Sequence, residues 1–209
     1  MHGPVHRAAP GPERPQWPPA GAAAMMHGMP DDSTAPTAPT APAVVRLDDF
    51  TGADLTEILG PGPDPFGVAA TGLTWLPKEE HFGIRLGGRL VAHAGLRRLP
   101  VDLGGTPTPV IGVGGVAVAS DVRGRGLARR VVAAALDHAR TMGPRHALLF
   151  CRPALLALYQ RLGWREVPAE VRVEQPTGPV VMPLRTLWTP LHDGATWPPG
   201  PVRLRSLPM

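Results

Sequence analysis

Apolar positions are distributed unevenly along this chain. Over residues 1–42 they follow neither a two-residue nor a 3.6-residue period. Proline-rich runs such as Thr34-Ala35-Pro36-Thr37-Ala38-Pro39 withhold backbone donors there, so a disordered Pro/Ala-rich tail is expected. From residue 43 the pattern organises. Residues 43–47 read as a first strand. Asp48 or Asp49 caps a helix that runs to about Leu59, with Leu55, Ile58 and Leu59 on one face, and Pro61-Gly62-Pro63-Asp64-Pro65 ends it. Residues 66–77 carry only weak helical periodicity. Residues 81–86 and 89–99 flank Gly87-Gly88, a two-residue hairpin turn. Gly104-Gly105 marks the next turn, before a long strand over residues 108–119.

The second half alternates helices and strands. A helix over residues 126–142 presents Leu127, Val131, Ala135, Leu136 and Ala139 on one face and stops at Gly143-Pro144. Residues 146–150 form the fifth strand. Pro153 opens the last main helix, which ends at Gly163, and residues 164–167 and 180–187 supply the final strands. Three hairpin strands therefore precede a β–α–β–α–β unit, an α/β order. The organisation expected is a tail over 1–42, one domain over 43–187 and a C-terminal extension over 188–209.

Composition sharpens this picture. The 209 residues include 25 glycines and 28 prolines, which is high for a compact fold and is explained partly by the tail. The single cysteine forbids an internal disulfide and fits a reducing cytoplasm; Cys151 reads as a buried structural thiol. His2, His6 and His27 match no metal motif, and no metal is expected. The tail lacks the apolar core of a secretory signal, and no apolar run is long enough to span a bilayer, so a soluble cytoplasmic protein is expected. Met25, Met26 and Met29 leave open a translation start within the tail. The formal charge is +4, and the arginines that supply nearly all of the basic residues are dispersed; no nucleic-acid motif accompanies them, whereas a polyanionic small ligand suits them.

The chemistry concentrates in Gly115-Val116-Ala117-Val118-Ala119-Ser120-Asp121-Val122-Arg123-Gly124-Arg125-Gly126-Leu127-Ala128-Arg129-Arg130. A β-branched strand leads through a basic glycine turn into an amphipathic helix. Such a turn gathers N–H groups at the positive end of the helix dipole, a physical site for a pyrophosphate. Arg123, Arg125, Arg129 and Arg130 add charge. The spacing departs from a dinucleotide fingerprint, and a P-loop needs a lysine that the turn lacks, because Lys78 is the only one in the chain.

The turn resembles the pyrophosphate loop of the GNAT acetyltransferases, Arg/Gln-x-x-Gly-x-Gly/Ala after a strand. A second signature agrees: Ala147-Leu148-Leu149-Phe150-Cys151 leads into a helix carrying Tyr159, with Gly163-Trp164 following. The resemblance covers residues 43–186. It implies a GNAT fold, a mixed central sheet with splayed fourth and fifth strands and flanking helices, and acetyl transfer from acetyl-CoA to an amine by direct attack. Main-chain groups of Val116, Ala117 and Val118 would hold the pantetheine arm, and the N–H groups of Arg123, Gly124, Arg125, Gly126, Leu127, Ala128 and Arg129 the pyrophosphate. Tyr159, the only tyrosine, matches the residue whose hydroxyl protonates the departing thiolate.

The resemblance implies no single acceptor or base. A primary amine of a small molecule, aminoglycoside-like or a metabolite, is the first expectation; a protein or peptide amine and a non-catalytic acyl-CoA-binding module are the alternatives. Residues 112–118 look like the aminoglycoside 2'-N-acetyltransferases, except that Gly114 stands where those carry a glutamate. His81, His93, Glu79, Glu80 and relayed water stay open as the base. Glycines 112, 114 and 115 mark a bulge that would aim an amide at the thioester carbonyl. Trp75 and Phe66 read as core plugs. The extension around Trp188–Trp197 packs on the outer sheet or forms a dimer contact in preference to covering the acceptor with Asp193. A homodimer is compatible with the family.

Overall fold

The computed structural model describes residues 42–209. The expected tail, with its histidines and candidate start methionines, lies outside the described residues. Ten strands form one mixed sheet: β1 (Val44–Leu47), β2 (Glu80–Leu86), β3 (Arg89–Leu103), β4 (Thr106–Val118), β5 (His146–Cys151), β6 (Arg165–Glu166), β7 (Val171–Val173), β8 (Val180–Val181), β9 (Arg185–Pro190) and β10 (Val202–Leu204). Helices α1 (Gly52–Leu59), α2 (Leu127–Thr141) and α3 (Leu156–Arg161) flank it. The sheet order is β6-β9-β5-β4-β3-β10-β7-β8, with β1 and β2 stacked beside the first half of β3.

Strand β3 is longer than its periodicity indicates because its outer neighbour changes along its length. Residues up to Leu96 pair with β2, and Val101–Leu103 pair with β10. The change falls around Pro100, which has no N–H to offer; its carbonyl accepts from Arg205 N at 2.8 Å. The extension beyond residue 187 is part of this sheet. β9 continues to Pro190 against β5, and β10 closes between β3 and β7. Strands β7 and β10 were too short for the sequence pattern to reveal.

Helix α1 begins two to three residues later than a cap at Asp49 or Asp48 would place it. Thr51 is its N-cap, accepting from Asp54 N while its own N–H donates to the Asp54 carboxylate at 2.8 Å. This reciprocal box satisfies two orphan donors at once, which a lone aspartate cannot do. Helix α2 buries Leu127, Val131, Val132, Ala135, Leu136 and Ala139, the apolar face read from the sequence plus Val132. That face packs on β2, β3 and β4 in the larger of two apolar clusters. The smaller, around Leu99, Trp188, Val202 and Met209, contains the C-terminal strands.

Strands β4 and β5 are parallel neighbours for two residues only, Ile111 opposite Ala147 and Gly112 opposite Leu148. Beyond Gly112 they part, giving the α/β architecture with splayed fourth and fifth strands. No helix among the described residues is long and apolar enough to cross a membrane.

Candidate active site

The opening between β4 and β5 contains two adjoining cavities. One, of about 570 Å³, runs beside Val116, Ala117 and Val118 to the glycine turn and the start of α2. Of the turn residues singled out above, Arg123, Gly124, Gly126, Leu127, Ala128 and Arg129 line it; Arg125 does not. The other, of about 390 Å³, is bounded by Lys78, Gly114, Gly115, Phe150 and Met209. Val116, Phe66, Arg152 and Tyr159 belong to both walls. Phe66 and Trp75 are thus cavity walls as well as core packing, a correction to their reading as plugs; the loop carrying them folds back over the opening. Asp193 lines neither cavity, whereas Met209 does.

The backbone of β4 supplies donors and acceptors to the opening. Ala119 N donates to Val91 O at 2.8 Å, and Ala117 lies opposite His93, so these residues turn their peptide groups toward β3. By alternation Val116 and Val118 turn theirs toward the gap. The Val118 carbonyl already accepts from Arg123 Nε at 3.2 Å.

At Gly115 the pairing with β3 shifts register, and φ is +61°, a bulge conformation that glycine adopts without penalty. His93 lies behind it, 1% exposed, with Nδ1 2.7 Å from Gly115 O. A carbonyl only accepts, so the proton is on Nδ1. Burial pushes His93 down to about 4, so the ring is neutral and Nε2 is an acceptor. His81 Nδ1, 3.0 Å from Nε2, must then donate. Phe50 stacks on His93 at 3.6 Å and fixes the ring plane. Because C=O and N–H point opposite ways across a planar trans peptide, holding Gly115 O toward β3 aims Val116 N–H into the gap. Both ring nitrogens of His93 are occupied, and neither His81 nor His93 lines a cavity.

At the turn, Gly124 and Gly126 have φ of +80° and +73°, and a Cβ on either would meet nothing within 4 Å. Their requirement is therefore conformational. Gly126 caps α2 without a side-chain bond, and the first helical bond is Arg130 N to Gly126 O at 3.2 Å. The N–H groups of Leu127, Ala128 and Arg129 are consequently free to bind an anion at the positive end of the dipole. Arg130 is committed elsewhere, to Pro42 O at 2.5 Å.

Tyr159 is buried in α3, and its ring meets Trp164 edge-on at 6.2 Å. The Gly163-Trp164 pair has a clear local cause. Gly163, at φ +88°, reverses the chain so that Trp164 N donates to Tyr159 O at 3.1 Å and the indole returns against the phenol. Burial pushes the Tyr159 hydroxyl above its usual range, so it is protonated; among the described residues it has no hydrogen-bond partner. Cys151 lines the smaller cavity, but burial pushes its thiol up to about 11, so it is a poor nucleophile.

Two of the acidic candidates are engaged away from the cavities. Glu79 pairs with Arg97 at 3.2 Å, and Glu80 with Arg46. Lys78, which sequence reasoning used only to exclude a P-loop, points into the smaller cavity. Desolvation pushes its ammonium below the usual lysine range, and no carboxylate among the described residues pairs with it. Its only sequence signal is that it is the sole lysine; the strand glycines that accommodate it are identified only by register.

A family model described as acetyltransferase (GNAT) domain matches residues 72–167. The N-alpha-acetyltransferase RimI of Mycobacterium tuberculosis is 34% identical over 147 residues, 69% of this chain and 90% of that protein. The GNAT family N-acetyltransferase YhbS of Escherichia coli, solved in complex with CoA, is similar with a TM-score of 0.52 at 20% identity, covering 81% of this chain and 93% of that one. A GNAT family acetyltransferase from Brucella melitensis in complex with acetyl-CoA has a TM-score of 0.45 at 18% identity, covering 78% and 96%. With a relative this similar along nearly its whole length, the chain belongs to the GNAT superfamily and is an acetyl-CoA-dependent N-acetyltransferase.

Proposed function

We propose that this enzyme moves acetyl from acetyl-CoA to the α-amino group of a peptide or protein N-terminus, by direct attack within a ternary complex. The observation that carries the reaction is the junction of the two cavities at Val116 and Tyr159. The larger one, with free helix-N-terminal amides and the exposed peptide edge of β4, suits the pyrophosphate and pantetheine. The smaller one suits the acceptor. Val116 N–H faces the junction as a donor for the carbonyl oxygen on which charge develops, a contribution of roughly 10²–10³ in rate.

Tyr159 offers its hydroxyl to the departing sulfur. A phenol raised by burial is a weaker acid than a thiol, so complete transfer to a free thiolate is uphill. Its contribution is therefore a hydrogen bond that strengthens as charge builds on sulfur. Cys151, kept protonated, leaves no reason to invoke an acyl-enzyme.

The acceptor class rests on the 34% identity to a relative named for α-amino acetylation. The smaller cavity agrees in character: Phe66, Leu73, Trp75, Leu184 and Met209 make it apolar. A polycationic aminoglycoside needs several carboxylates, and Asp64 is the one acidic side chain that lines this cavity. Its two oxygens are taken by Val68 N and Ala69 N at 2.8 Å each. The small-molecule expectation accordingly gives way to a peptide amine.

The test is coenzyme A thiol release from acetyl-CoA against short peptides with free or blocked N-termini, polyamines, amino acids and aminoglycosides, with mass spectrometry of the products. Nα-acetylated peptide, formed about 10²-fold more slowly by Tyr159→Phe with little change in KM, is the expected result. Turnover confined to small amines would overturn the acceptor class. Undiminished turnover in Tyr159→Phe would remove that residue from the reaction.

A further inference from the structure

We propose that Lys78 is the group that takes the proton from the acceptor ammonium before attack, occupying the place left by Gly114. This rests on the reading of the smaller cavity as the acceptor site.

Lys78 occupies a built slot. Gly95 on β3 and Gly114 on β4 lie opposite one another in the ladder. A Cβ on Gly95 would come within 2.5 Å of Lys78 Cγ, and one on Gly114 within 2.9 Å of Lys78 Cε and 3.5 Å of its Nζ. Two paired strand glycines, each costly to a sheet, thus make the trough along which the lysine reaches the cavity. The missing β4 side chain and the position of this lysine are one arrangement: a side chain at 114 would displace the end of the lysine, and with it the Met209 sulfur that lies equally close.

The environment favours the free amine. The lysine is largely desolvated, which disfavours its charged form, and the histidines on the packed strands, His81 and His93, are themselves shifted toward the neutral imidazole and supply no counter-charge. Of the remaining charged groups around the cavity, Arg152 is cationic, Asp64 is engaged by backbone amides, and the main-chain carboxylate of Met209 makes no ion pair with the lysine. An acceptor ammonium beside a lysine ammonium would be repelled. An acceptor ammonium beside a lysine amine can give up a proton.

Placement argues for a base over an acetylated lysine. Lys78 Nζ lies beside Gly114, while the Val116 N–H proposed to face the thioester carbonyl is two residues on, across the bulge at Gly115. A base and a carbonyl set apart in this way can share one acceptor nitrogen between them, within hydrogen-bond reach of the base and in line with the carbonyl carbon. The protons balance. Lys78 takes one from the acceptor ammonium and releases it to solvent. The C–N bond forms as the C–S bond breaks, and the second proton leaves the acylated nitrogen and ends on the coenzyme A thiol.

Because Lys78 is the only lysine, lysine labelled with ¹³C at Cε gives one side-chain signal in the intact protein. Its pH titration, with and without coenzyme A, should have a midpoint below the usual lysine range; an ordinary midpoint overturns the proposal. This readout needs neither a variant nor an acceptor, so it stands if the peptide reading fails, and the kinetic arm then uses whichever amine is turned over. Lys78→Met should lower kcat/KM about 10²-fold at neutral pH, with the deficit shrinking as pH approaches the acceptor's own pKa, near 8 for an α-amine. Lys78→Arg should not restore activity, because guanidinium stays protonated. A pH-independent deficit restored by arginine would make Lys78 an anchor for a carboxylate. An acetyl group found on Lys78 after incubation with acetyl-CoA alone would make it an acceptor. Either result overturns the base.

Discussion

His93 never touches the opening between β4 and β5, yet its replacement should slow acetyl transfer. Its Nδ1–H is the partner of Gly115 O at 2.7 Å, and that carbonyl lies where the β3–β4 ladder is interrupted by the bulge. His93→Leu leaves the carbonyl unsatisfied, at a cost of about 1–3 kcal/mol. The Gly115–Val116 peptide then relaxes by rotating, which glycine at φ +61° permits, and Val116 N–H swings out of the gap. Losing one aimed donor to a developing oxyanion is worth about 3–4 kcal/mol of barrier, or 10²–10³ in kcat. His93→Gln retains an N–H that can reach the carbonyl and should recover part of the rate. Both variants lose the stacked Phe50 contact, so they share a packing penalty but differ in donor capacity. The assay is steady-state thiol release under conditions where thermal melting shows both variants folded, with coenzyme A affinity measured separately by calorimetry. The reasoning requires kcat to fall while affinity for coenzyme A, which has no acetyl carbonyl, is retained. Unchanged kcat in a folded His93→Leu protein, or equal rates for Leu and Gln, would refute it.

His93 also gives stability a pH dependence of definite sign. Its pKa is about 4 when folded and about 6.5 when unfolded, so the unfolded chain binds more protons between these values. Stability should fall as pH drops through this window, by up to about 3 kcal/mol in total, and a melting series should show a shallower slope for His93→Gln. Gly126→Asp should weaken acetyl-CoA binding roughly tenfold or more by placing a carboxylate against the α2 N-terminus; calorimetry showing unchanged affinity would remove the turn from the binding site. Trp164→Leu should cost about 3 kcal/mol in denaturant unfolding and lower kcat by releasing the Tyr159 ring; a stability loss with full turnover would show that the indole only fills the core.

The sequence was sufficient wherever the governing interaction is local. The glycine turn was legible because positive φ at Gly124 and Gly126, followed by an uncapped helix start, is decided within a few residues. The amphipathic face of α2 was legible because burial follows the helical period. Tyr159 and Gly163-Trp164 were legible because the residues that reverse the chain lie next to the ring they position. Strands β7 and β10, only three residues each, were not, since so short a strand is stabilised by distant neighbours and leaves no period to read. Nor was Met209, at the end of the chain, identifiable as a wall of the smaller cavity. The significance of Gly114 was hidden for the same reason. In the sequence it is a missing carboxylate; in the fold it lies opposite Gly95 and opens the trough for Lys78, far away in the chain. Sequence sets conformation through adjacent backbone and side chains, whereas only the register of paired strands decides which distant side chain enters the space a glycine leaves.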